Sequence, residues 1–225
     1  MQLYRNLTLL SANFNQPELT LAMLKSLTKA TGLPIPVVII DNSTKYFLPT
    51  YNTPVFRVID NTNFKITPDH HQNSHNHSHS LEYAFSTINT RYVLLCDNDI
   101  LFKPAIKDVL LQEDDQFDAW GQTVVDGDIP PTRLLPYCCI IDLFKKKADN
   151  IAYYDPSRLM LFHHPGARGH YSYMDTGCSF LQDIERKNWR IHRTDIGQYV
   201  EHLKGVSYNG MDYHWWLERF AHLYK

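Results

Sequence analysis

Apolar residues along this chain fall into short unbroken runs separated by segments with helical spacing. LTLLSA (7–12), PVVIID (36–41), VFRVID (55–60) and YVLLCD (92–97) are β-prone and too short for buried helices, so each predicts a strand. Between the first two lies NFNQPELTLAMLKSLTKATG, in which Ala22, Leu21, Leu24 and Leu27 recur near the helical period. Asn15, with Glu18 three residues later and Pro17 in the first turn, predicts the helix start, and Gly32 its stop. SLEYAFSTI (80–88) places Leu81, Ala84, Phe85 and Ile88 on one face of another helix.

Strands that are apolar throughout and separated by helices predict an α/β domain with a mostly parallel central sheet covered on both faces. The first, second and fourth runs end in polar residues: Ser11 to Asn15, Asp41-Asn42-Ser43 and Asp97-Asn98-Asp99. In an open parallel sheet the carboxyl ends of the strands form the ligand crevice, so these residues stand where a ligand would bind. Further on, DAWGQTVV (118–125) and LLPYCCIID (134–142) read as strands, SFLQDIERKNW (179–189) as a helix and HWWLERFAHLY (214–224) as a C-terminal helix. HHPGARGHYSY (163–173) has the glycine, proline and aromatic content of a mobile loop closing over a site, or of a plain surface loop.

A length of 225 residues suits a single domain, and 44% hydrophobic with 20% charged residues excludes disordered and fibrous classes. The net charge of −2 supplies no global basic field for nucleic acid. Cys96, Cys138, Cys139 and Cys178 include an adjacent pair and lack CxxC spacing, which argues against a disulfide framework or zinc ribbon and for a reducing compartment. The N-terminal stretch turns polar too early for a signal sequence, and no run approaches the ~18 apolar residues of a membrane span. The expectation is a cytoplasmic protein.

Asp97 and Asp99 carry the most specific chemistry. Two carboxylates at a strand end supply hard oxygen ligands for Mg²⁺ or Mn²⁺, which in turn bind a diphosphate. An acidic triplet can also merely cap the next helix, but the apolar run YVLLC ahead of it and ILFKP behind it favour a strand end. The stretch DHHQNSHNHSHSLEY holds His70, His71, His75, His77 and His79. It reads as a polar loop with solvated histidines, although HxH spacing also suits transition metals. Trp120, Tyr137, Trp215 and Trp216 could stack on a sugar or belong to the core. Lys145 to Lys147 reads as a solvated helix face.

The order LLSANFNQPELTLAMLKSL, VVIIDNS, NTRYVLLCDNDILFKP, then RLLPYCCIIDLFKK, YMDTGCSFLQDI and EHLKGVSY resembles inverting, family-two-like glycosyltransferases of the GT-A fold, especially the rhamnosyltransferase-like members. The resemblance implies a single Rossmann-like α/β domain, with residues 1–104 forming the nucleotide-sugar half and 105–225 the acceptor half. It implies that Ser11, Asn13 and Asn15 line the nucleotide pocket and that Asp41 hydrogen-bonds the base or ribose. It further implies that Asp97 meets ribose or metal, that Asp99 binds the metal, and that His202 closes the metal and phosphate site. Asp175, in MDTG, would be the general base, although Asp before such a run is also a common helix cap. Arg133 would contact donor phosphate or acceptor, or form a surface ion pair. The histidine-rich stretch departs from the arginine and asparagine usual there, and His79, next to the helix, would reach the donor site.

The implied activity is metal-dependent transfer of a sugar from a nucleoside-diphosphate donor, UDP-linked by the habit of the family, to a hydroxyl of a glycan or of a hydroxymethylated base in DNA. Two other classes share the strand-end acids. A nucleotidyltransferase normally has a Gly-rich basic loop after its first strand, which NFNQPE lacks. A non-catalytic nucleotide-sugar-binding module would keep the strands but lose the acids, which are present here.

Overall fold

The computed structural model describes residues 1–43, 56–60, 70–124, 133–155, 157–164, 167–173, 176–203 and 212–225. The strands are β1 (Leu7–Asn13), β2 (Val37–Asp41), β3 (Phe56–Asp60), β4 (Tyr92–Asp97), β5 (Ile100–Phe102), β6 (Ala119–Val124), β7 (Arg133–Asp142), β8 (Leu159–His164), β9 (Ala167–Tyr173), β10 (Ile191–Arg193) and β11 (Val200–His202). The α-helices are α1 (Pro17–Thr31), α2 (His70–Thr87), α3 (Ile106–Leu110), α4 (Leu143–Ala148), α5 (Cys178–Arg186) and α6 (His214–Arg219).

Seven strands form the central sheet in the order β10-β6-β7-β4-β1-β2-β3. Pairings among β1, β2, β3 and β4 are parallel, as is β10 with β6, while β7 runs antiparallel to both β4 and β6. The expected mostly parallel α/β sheet is therefore present.

Side-chain alternation along these strands divides the core into two layers. Leu7, Leu9, Val37, Ile39, Tyr92, Leu94, Cys138 and Ile140 pack on one face with Met23, Leu24 and Leu27 of α1 and with Ile106 and Val109 of α3. Leu10, Val38, Ile40, Val93, Leu95, Cys139 and Ile141 pack on the other with Leu81, Ala84 and Phe85 of α2 and Phe180, Leu181 and Ile184 of α5. Strands apolar on both sides thus find a helix layer on each face. A third cluster joins Leu19 and Ala22 of α1, Leu101 of β5, and Trp216 and Leu217 of α6. No helix among the described residues is long and apolar enough to cross a membrane.

Several local expectations differ from the structure. The histidine-rich stretch, read as a polar loop, is helical from His70 onward as the first half of α2. Asn15 does not cap α1: the helix starts at Pro17 with Gln16 at the cap position and no side-chain cap bond. Asn15 instead adopts a left-handed backbone, φ 54°, and its N–H donates to Ser43 Oγ at 2.8 Å. Residues 163–173, read as a loop, fall largely within the antiparallel β8–β9 ribbon, where Leu159 faces Tyr173 and Phe162 faces His170. Alternating aromatics with few helix formers suit that pairing. The C-terminal helix ends at Arg219 and continues as a 3₁₀ turn over Ala221–Leu223. Lys146 is not solvated. It is buried, and its ammonium lies 2.8 Å from Glu82, whose carboxylate also accepts the Tyr153 N–H.

Gly32 closes α1 in the left-handed conformation, its N–H donating to the Thr28 carbonyl. Gly177 precedes α5, also left-handed at φ 86°, and a Cβ there would lie 2.4 Å from the Leu134 carbonyl oxygen of β7. Chain reversal and close backbone approach together demand glycine at this point. Gly177→Ala is therefore expected to lower stability by more than ~2 kcal/mol, strain and clash combined. Gly32→Ala has the same backbone sign but nothing within 4 Å, and is expected to cost ~1 kcal/mol. Urea unfolding midpoints of the two variants measure the difference.

Candidate active site

The carboxyl ends of β1, β2 and β4 are neighbours in the sheet, because Asn13 pairs with Asp41 and Ala12 with Asp97. Asn13 and Asp41 are buried there and must find partners inside the protein, while Asp97 is partly buried. Asn13 does most of this. Its amide Nδ2 donates to Asp41 Oδ1 and to Ser43 Oγ, both at 2.9 Å, and its Oδ1 accepts the Thr20 hydroxyl at 2.9 Å. Ser43 N–H donates to the same Asp41 oxygen at 3.2 Å. From the other side Asn98 Nδ2 donates to Thr20 Oγ1 at 3.3 Å. One chain of hydrogen bonds thus runs from the end of β2, across β1 and the first turn of α1, to the residue between the two acids.

Asn98 and Asp99 form a turn between β4 and β5, so the carboxylates converge through a turn rather than by strand alternation. The middle residue faces inward to Thr20, and the carboxylates of Asp97 and Asp99 on either side of it lie close to one another. β11 pairs antiparallel with β5, setting His202 opposite Ile100, and the Leu203 N–H donates to the Asp99 carbonyl at 3.0 Å. This register carries His202 to the acids from more than a hundred residues away in sequence.

Asp97, Asp99 and His202 each present a ligand atom, all within 4.8 Å of one another. His202 Nε2 lies 3.3 Å from Asp99 Oδ1. That oxygen is buried and accepts no hydrogen bond among the described residues, and the side chain of Asp99 is only 1% exposed. A buried carboxylate oxygen without a donor is costly unless a cation faces it. Two carboxylates and one imidazole suit Mn²⁺ or Mg²⁺ with further positions open to other oxygens. The donor set fits such an ion.

Tyr137, on β7, stacks its ring on the His202 imidazole at 4.1 Å between centroids and 24° between planes. Burial, reinforced by nearby negative charge, pushes its phenol up to about 12, so it is neutral at physiological pH. The four cysteines are free and buried, and burial raises the thiols of Cys96 and Cys138 well above their usual range. They pack as small apolar residues.

Ser11 is wholly buried in β1, with Ile39 on one side and Cys96 on the other. Asp41 is also wholly buried, holding Asn13 and Ser43. Asn15 is exposed at the rim. Arg133 begins β7 and passes the Gly177 turn, where its Cγ would lie 3.4 Å from a Cβ. On α2, His79 is exposed, whereas Ser78 and Ser80 are buried, and Ser78 Oγ lies 3.4 Å from Thr176 Oγ1. Asp175 lies outside the described residues. The cap position of α5 is held by Gly177. Trp120 and Trp216 are core residues, and Trp215 is half exposed. Thr20 belongs to the site without any mark in the sequence, whereas Ser43 and Asn98 stand at the expected strand ends but serve as hydrogen-bond partners of Asn13 and Thr20.

No protein-family model matches the chain, and no characterised protein matches it by sequence. Its fold is nevertheless shared with solved glycosyltransferases. The mannosyltransferase PcManGT from Pyrobaculum calidifontis, in complex with GDP-Man and Mn²⁺, superposes with a TM-score of 0.56 at 13% identity, over 96% of this chain and 61% of its own. S. aureus TarS 1–349 in complex with UDP-GlcNAc gives 0.54 at 12%, over 97% and 65% respectively. The catalytic domain of Drosophila β1,4-galactosyltransferase 7, in complex with xylobiose, gives 0.52 at 10%, over 92% and 74%. The chain has the GT-A glycosyltransferase fold, and it spans less than two thirds of the mannosyltransferase and of TarS 1–349.

Asp99→Asn tests the cation fit directly. The metal-free variant is expected to be at least as stable as the parent, because a buried charge without a donor has been neutralised. Mn²⁺ is expected to raise the melting temperature of the parent and not of the variant. Differential scanning calorimetry with and without Mn²⁺ reads both effects.

Proposed function

We propose that this chain is a metal-dependent inverting glycosyltransferase, moving a sugar from a nucleoside-diphosphate donor, UDP-linked by preference, to a hydroxyl of a glycan. One observation carries the reading: Asp97, Asp99 and His202 converge at the mouth of a GT-A sheet, with a buried Asp99 oxygen lacking a hydrogen-bond donor. The ligands of similarly folded proteins support the donor class. PcManGT was solved with GDP-Man and Mn²⁺, and TarS with UDP-GlcNAc.

Asp97, Asp99 and His202 would hold Mn²⁺ or Mg²⁺, which would supply positive charge beside the departing diphosphate. Asn13, Asp41 and Ser43, with Ser11 beneath them, form the rigid wall against which the nucleotide is oriented, and Asn15 lies at its open edge. Arg133 and His79 contact the donor phosphates. Asp175 accepts the proton of the acceptor hydroxyl as that oxygen bonds the anomeric carbon and the diphosphate leaves with the electron pair of the broken bond. His202 lies in the 105–225 half and the acids in the 1–104 half, so donor binding draws on both.

Calorimetric titration of UDP, GDP and dTDP, each with and without Mn²⁺, tests this reading. One nucleotide is expected to bind in the presence of Mn²⁺ only, and Asp99→Ala to lose that binding. Asp175→Asn is expected to keep nucleotide affinity and lose about 10²-fold or more in transfer rate. Absence of nucleotide binding under every condition would return the acids to a structural role.

A further inference from the structure

Metal-binding histidines are usually oriented by a second hydrogen bond from the ring nitrogen that does not touch the metal. Among the described residues, Nδ1 of His202 has no such partner. The imidazole is instead covered on one face by Tyr137, with 4.1 Å between centroids and 24° between planes.

The need for orientation is acute here. His202 ends a three-residue strand, β11, paired with the equally short β5 in a two-stranded sheet of its own. Asp97 instead ends β4, at the centre of the seven-stranded sheet. The ligands therefore come from two sheets. Tyr137 belongs to the large one: it precedes Cys138, whose partner across the ladder is Cys96, the residue before Asp97. It also packs against the apolar layer containing Leu94, Cys96 and Ile140. Its position is fixed by the core, and its ring bears on the ligand that the small sheet supplies.

We propose that Tyr137 is the positioning residue of the metal centre, its ring face fixing the His202 imidazole so that Nε2 is directed at the point shared with Asp97 and Asp99. The proposal rests on the metal site of the function given above. It assigns the phenol no proton transfer, because the work is done by the ring face.

The test compares wild-type protein with Tyr137→Phe, Tyr137→Leu and His202→Ala. Bound Mn²⁺ is titrated by electron paramagnetic resonance, and imidazole coordination is read from the nitrogen modulation of the Mn²⁺ spin echo. Wild type is expected to show nitrogen coupling and His202→Ala none. Tyr137→Phe keeps the ring and is expected to stay within about twofold of wild type with coupling intact. Tyr137→Leu is expected to bind Mn²⁺ about tenfold more weakly, as other oriented-ligand losses do, with diminished coupling. Thermal unfolding separates this from global damage, and Tyr137→Met, which fills the space without a ring, replaces Tyr137→Leu if that variant does not fold. Wild-type affinity and coupling in the ringless variants would overturn the role of Tyr137 while leaving the metal site standing. Absence of Mn²⁺ binding by wild type would overturn both.

Discussion

A carboxylate oxygen shut away from water without a hydrogen-bond donor costs several kcal/mol unless positive charge faces it. Asp99 Oδ1 is in that position, with His202 Nε2 at 3.3 Å and Asp97 beside it. A buried group of this kind has to be held in place by its surroundings. Here the surroundings are two ladders: β4 in the centre of the large sheet delivers Asp97 and the turn, and β5 paired with β11 delivers His202 and clamps the Asp99 carbonyl. These pairings bring the three groups together.

The hydrogen-bond chain from Asp41 through Asn13 and Thr20 to Asn98 is the second half of that arrangement. Each member is buried, so breaking one link leaves polar atoms unsatisfied on both sides of it. The chain ties the end of β2 to the acidic turn through the first turn of α1. Residues expected to touch a nucleotide and residues expected to hold a cation therefore share one frame. The asparagine between the acids is committed inward to Thr20, and the carboxylates on either side of it gather with His202.

Much of this was legible in the sequence. Unbroken apolar runs ending in polar clusters specified the parallel strands, their two covered faces and the crevice end, because a strand buried on both sides admits few other patterns. The acids and His202 were singled out by motif order. What brings them together was not legible, since the β5–β11 pairing joins two three-residue strands almost a hundred residues apart, and strands that short carry little periodic signal. The same holds for Tyr137: its sequence environment, LLPYCC, is that of a core strand, and only the fold lays its ring on His202. The histidine-rich half of α2 misled because histidine, asparagine and serine are weak helix formers, and tertiary context overrode that preference. Asn15 misled in the opposite sense, offering a capping residue that the chain uses as a left-handed corner.

The most direct test of the central claim is crystallographic: diffraction data collected on either side of the manganese absorption edge from crystals grown with Mn²⁺ and a nucleoside diphosphate. One anomalous peak is expected, bounded by Asp97, Asp99 and His202. A crevice without such a peak at saturating Mn²⁺, with His202 donating a hydrogen bond to Asp99, would contradict that claim.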